Sequence, residues 1–138
     1  MPRYRFTEHT ADLSVFFYGR SPEEVFVNAG LVMFELLLDG RPDGEREKRR
    51  IVIEGVDRED LLVQWLSELL YLYSSRDQAL SEVDIEDLSP TGLRAWAELV
   101  SFNPETIGVK TEVKAVTYHR IEFKPTKSGW RARVTFDL

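Results

Sequence analysis

Residues 129–138 read Gly129-Trp130-Arg131-Ala132-Arg133-Val134-Thr135-Phe136-Asp137-Leu138. Trp130, Ala132, Val134, Phe136 and Leu138 share one parity; Arg131, Arg133, Thr135 and Asp137 share the other. This period of two marks a half-buried strand, because successive side chains of an extended chain point to opposite faces. A strand running to the last residue brings the Asp137 carboxylate, the Leu138 carbonyl and a terminal carboxylate to one place. Packing would fix those oxygens, and a hard cation needs oxygens held in place.

Working back from that strand, Ile121 to Lys124 pairs with it as a hairpin across 125–129, and 113–118 also reads as strand. Leu93 to Phe102 and Val83 to Leu88 alternate and form a second hairpin around Pro90-Thr-Gly92. Asp57 to Ser74 reads as a helix. Leu61, Leu62, Trp65, Leu66, Leu69, Leu70 and Tyr73 cover nearly half its circumference, so its apolar face must lie on a sheet or be shared between two partners. Ser21-Pro22-Glu23-Glu24 starts another helix, with Ser21 as cap and Pro22 in the first turn, and Asp39-Gly40 stops it. Arg50 to Glu54 is a short β-rich run, and Tyr4 to Phe6 and Leu13 to Tyr18 are strands. Two helices and about seven strands without βαβ alternation predict an α+β fold, an α/β sandwich with two helices on a mainly antiparallel sheet. Strand-helix-strand order occurs twice, over Leu13 to Glu54 and Arg50 to Leu88, in the manner of an internal duplication.

At 138 residues the chain is expected to form one domain, 1–138, with its own core. No apolar stretch is long enough to span a bilayer, and the Met1-Pro-Arg-Tyr-Arg-Phe6 start has no signal-peptide character, so a cytoplasmic location is the expectation. The absence of cysteine excludes disulfides and thiolate metal sites. With two histidines only, a metal must rely on carboxylates and carbonyls, which points to calcium, magnesium or manganese. A net charge of -6 argues against nucleic-acid binding by the whole surface. The basic run Arg46-Glu-Lys48-Arg49-Arg50 reads as a solvated loop or a strand edge.

No phosphate loop, nucleophile elbow or His-Glu-x-x-His motif is present. Asp57-Arg-Glu-Asp60 reads as helix capping. Asp12 precedes an apolar strand, where an aspartate is commonly a turn former. With Asp137 it makes a candidate site on condition that the first and last strands are sheet neighbours. His9 is a loop hydrogen-bonder or a ligand, His119 sits at a strand end, and Glu68 on the helix margin reaches toward the same rim or into solvent.

Four segments together resemble archease: His9-Thr-Ala-Asp12, Leu62-Val-Gln-Trp-Leu-Ser-Glu-Leu-Leu-Tyr71, Glu112-Val-Lys-Ala-Val-Thr-Tyr-His119 and the Phe136-Asp-Leu138 ending. The resemblance spans the chain in order; a final leucine departs mildly from the isoleucine common in that family. It implies a strand-helix-strand-strand unit carrying a similar unit as an insertion. It implies a divalent metal, calcium above all, held by Asp12, Asp137 and Leu138. Glu68 matches a recurrent acidic position, and His9 and Lys114 match family positions without an assigned role. It further implies a non-enzymatic accessory protein that activates an RtcB-type RNA ligase in tRNA splicing, promoting its GTP-dependent guanylylation and multiple turnover. Any RNA contact would be indirect, through that partner. The alternative is a chaperone for a tRNA methyltransferase. A metal-dependent hydrolase is a weak third reading, because no general acid-base pair stands out.

Overall fold

The computed structural model describes the backbone of residues 3–8 and 12–138, and the side chains of 3–4 and 12–138. The chain runs β1 (Tyr4–Glu8), β2 (Asp12–Gly19), α1 (Pro22–Leu37), β3 (Leu38–Asp39), β4 (Arg46–Glu54), α2 (Arg58–Arg76), β5 (Gln78–Ser89), β6 (Gly92–Ser101), β7 (Gly108–Val109), β8 (Ala115–Thr126) and β9 (Gly129–Asp137). Among the described residues the expected sheet is divided into three, ordered β1-β2-β9-β8, β4-β6-β5 and β3-β7, with every pairing antiparallel.

The repeated order seen in the sequence is a nesting, not a tandem. β2, α1, β8 and β9 form one strand-helix-strand-strand unit, and β4, α2, β5 and β6 form another inside it. In both, the last strand lies between the first two: β2-β9-β8 and β4-β6-β5. β4 therefore opens the second unit and does not close the first.

Each helix packs against both larger sheets. This explains the broad apolar face of α2, and it is why Val25, Phe26, Ala29, Val32, Met33, Leu36 and Leu37 are all buried in α1. Both starts are capped as their sequences require: Ser21 Oγ accepts from the Glu24 N–H at 3.2 Å, and Asp57 Oδ1 from the Asp60 N–H at 2.8 Å. α1 stops at Leu37, three residues before Gly40, because residues 38 and 39 turn extended and pair with Val109 and Gly108.

Candidate functional site

β9 is the central strand of its three-strand unit and ends beside the start of β2. Asp12 and Asp137 are direct cross-strand partners, and Asp137 pairs on its other side with Ala115 at the start of β8. The alternation that sends Val15, Phe17, Ala132, Val134 and Phe136 into the core places Asp12, Ser14, Thr135 and Asp137 together on the opposite face. Behind the two carboxylates, Ser14 Oγ and Thr135 Oγ1 share a buried hydrogen bond of 2.9 Å, and Thr117 Oγ1 donates to the Thr135 carbonyl at 2.9 Å. The Lys114 N–H donates to the Asp137 carbonyl at 2.8 Å, which holds the exposed Lys114 next to the pair.

Asp12 is half-buried, and its Oδ1 is enclosed and has no hydrogen-bond partner among the described residues. An enclosed carboxylate oxygen without a donor forfeits its hydration, and a second carboxylate on the neighbouring strand adds repulsion. A divalent cation answers both defects, and oxygen donors of this kind suit calcium, magnesium or manganese. The donor set thus fits the group that the residues themselves suggested. Leu138, 36% exposed, lies just past the last paired residue and offers main-chain oxygen at the same end.

Glu68 and His119 are placed differently from Lys114. Glu68 is half-buried on α2, and among the described residues no three Asp, Glu or His side chains gather as a metal site, so it does not join Asp12 and Asp137 in one. His9 lies outside the described residues. His119 is exposed, and its N–H donates to Thr117 Oγ1 at 3.3 Å.

Sequence reading missed Tyr118. Residues 113–118 and 121–124 looked like two strands; β8 is one strand from Ala115, with a bulge between Thr117 and Glu122 and Arg120 at φ 54°. The bulge pushes Tyr118 out, 56% exposed, and its hydroxyl donates to Asp60 Oδ1 at 2.6 Å. Asp60 Oδ2 accepts from the Val56 N–H at 3.0 Å and Gln64 Nε2 at 3.0 Å. The Tyr118 hydroxyl, then the Val56 amide and Gln64, hold the Asp60 carboxyl below its ordinary range, while Asp60 pushes the Tyr118 phenol up. The adjacent Glu122 carboxyl is lowered by Lys124, its hydrogen-bond partner, and then by Arg131 and Arg133. Asp60, read as a capping residue, therefore also anchors β8. The clue available in the sequence was the break in alternation at Tyr118-His119-Arg120.

Comparison with known proteins places the chain. The archease protein family (MTH1598/TM1083) matches residues 4–138. The archease of Methanosarcina mazei is 36% identical over 140 residues, covering 99% of this chain and 96% of that protein. The archease of Saccharolobus solfataricus is 38% identical over the whole of both chains. Among solved structures, protein 1598 of Methanobacterium thermoautotrophicum superposes with a TM-score of 0.77 at 33% identity, with full coverage of both chains. An archease of Thermotoga maritima described as a possible chaperone shares the fold, with a TM-score of 0.65 at 23% identity over 96% of this chain and 94% of that one. With a family match over nearly its full length and relatives above a third identical, this chain belongs to the archease family.

Proposed function

We propose that this protein is a non-enzymatic activator of an RtcB-type RNA ligase in tRNA splicing, working through a divalent cation at the Asp12, Asp137 and Leu138 rim. The observation that supports the rim is the cross-strand pairing of Asp12 with Asp137, together with the enclosed Asp12 Oδ1, which has no hydrogen-bond partner among the described residues. Calcium is the expected ion, with magnesium and manganese as competitors. When bound, the cation supplies positive charge with coordination positions left for water or a partner group. The residues around it do the positioning: the hydroxyl row of Ser14, Thr135 and Thr117 holds β2, β9 and β8 in register, and the Lys114 amide fixes the Asp137 main chain. The acidic rim would meet a basic surface of the ligase near its nucleotide pocket, and charge complementarity would speed the encounter. RNA would be touched through the ligase.

The decisive experiment has two readouts. In multiple-turnover ligation with GTP, the parent stimulates guanylylation of the ligase, and Asp12→Ala and Asp137→Ala lose most of that stimulation. Separately, calcium at about 100 times its Kd should raise the parent's stability by about 2.7 kcal/mol and leave both variants unmoved. Full stimulation by both variants would sink the rim reading.

One observation favours a second reading, a chaperone for a tRNA methyltransferase. Val56 and Tyr118 are 80% and 56% exposed and both bond to Asp60, an apolar pair of the kind that a client's surface covers. A pull-down from native lysate separates the two: recovery of the methyltransferase without the ligase would select the chaperone.

A further inference from the structure

The basic run that the activator reading leaves unused lies on β4, an edge of the β4-β6-β5 sheet. Alternation along β4 buries Ile51 and Ile53 and turns Lys48, Arg50 and Val52 to the outer face. The register sets Lys48 beside Glu98 and Glu82, Arg50 beside Trp96 and Asp84, and Val52 beside Arg94 and Asp87. The outer face is therefore cationic at Lys48 and Arg50 of β4 and anionic along β5, with Glu98, Trp96 and Arg94 of β6 between them; Trp96 is 42% exposed and Val52 55% exposed. Arg50 reaches Glu86 at 3.1 Å and Arg94 reaches Asp87 at 3.1 Å. Among the described residues, Lys48, Glu82 and Asp84 of this face form no ion pair.

An exposed tryptophan ringed by charged groups has the make-up of an interface centre, where burial of the indole supplies most of the energy and the polar rim excludes water. The charge pattern names the partner. β4 and β5 each run antiparallel to β6, so they run parallel to one another. Turning a second copy over about an axis along the strands lays its β5 on β4 and its β4 on β5. Lys48 of each copy then faces Glu82 of the other, Arg50 faces Asp84, and the two Trp96 rings meet at the axis; the two Glu98 and the two Arg94 side chains also meet there, each neutralised within its own copy by Arg46 and Asp87 respectively. An axis across the strands would set β4 on β4 and β5 on β5, opposing Arg50 with Arg50 and Asp84 with Asp84, groups on the two edge strands. We propose that this face is an isologous dimer interface, a second copy of the chain being its occupant. Only three strands contribute, so the dimer is weak and forms and dissociates with concentration.

Sedimentation equilibrium of the full chain over a wide concentration range tests this. The parent's weight-average mass should climb from monomer toward dimer. Trp96→Ser, at a solvent-exposed position that leaves the core intact, should weaken association at least tenfold. Lys48→Glu and Glu82→Lys should each remain monomeric alone, while an equimolar mixture of the two, and the double variant, should associate again. A parent that stays monomeric at the highest concentration overturns the proposal. So does association unchanged by Trp96→Ser, or a mixture that fails to pair. Ligase stimulation by these variants is read independently and does not bear on the result.

Discussion

At the scale of single residues, the joint between the two nested units is made by Gly30 and Trp65. Trp65 is fully buried, and its indole Nε1 donates to the Phe26 carbonyl of α1 at 3.0 Å. That bond needs space on α1 four residues further on, where Gly30 stands. A Cβ at Gly30 would lie 2.9 Å from Leu80 Cδ2, 3.1 Å from Leu69 Cδ1 and 3.4 Å from Trp65 Nε1. The glycine's helix penalty, about 1 kcal/mol relative to alanine, is outweighed by this close crossing. Trp65→Ala should cost about 3–5 kcal/mol in urea unfolding, the usual range for removing a buried aromatic side chain. Trp65→Phe should cost clearly less, because the Phe26 carbonyl keeps its acceptor role within the helix. The apolar stripe containing Trp65 was legible from spacing alone. That its nitrogen crosses to α1 was not, since nothing local in either segment encodes a contact 39 residues away.

Among elements, the tie between β8 and α2 makes stability depend on pH at both ends of the scale. The Asp60 carboxyl is depressed in the folded state, chiefly by the Tyr118 hydroxyl, so its contribution is complete above the ordinary carboxylate range and fades as pH falls through the lowered value. The Tyr118 phenol is raised, chiefly by its bond to Asp60, so its contribution is complete below the ordinary tyrosine value and fades as pH climbs through the raised one. Tyr118→Phe should therefore lower the urea midpoint near neutral pH, with the gap from the parent narrowing below about pH 4 and above about pH 10. A gap constant across that range would show that the hydrogen bond contributes nothing. Element types were readable from period and caps, as at Ser21, Asp57 and the β9 alternation. Extents were harder: β5 begins at Gln78 rather than Val83, because its first three residues are all buried and do not alternate. β4 begins at Arg46 rather than Arg50, since pairing to β6 keeps a polar run extended whatever its composition suggests.

For the molecule as a whole, the nesting predicts one cooperative transition. The inner unit is entered and left through the outer one, and both helices rest on both larger sheets, so neither unit keeps its core without the other. Trp96 reports on the inner sheet and Trp130 on the outer one. Variants retaining only one of the two exposed or half-buried tryptophans as the distinguishing probe should unfold with urea midpoints that coincide with each other and with far-ultraviolet dichroism. Two separated midpoints would show that the units are independent.

Local chemistry alone was enough to specify two capped amphipathic helices, alternating strands, the exclusion of thiolate chemistry and the carboxylate character of any metal site, because each follows from neighbours a few residues apart. The meeting of Asp12 with Asp137 was of another kind. It depends on β9 returning between β2 and β8, a register set by which apolar faces can be buried together across 125 positions of chain. The same long-range packing left Glu68 out of the carboxylate pair, lifted Tyr118 onto Asp60 and arrayed opposite charges on the two edges of one small sheet. Proximity of that sort is a product of closing the core, and no short stretch of residues carries it.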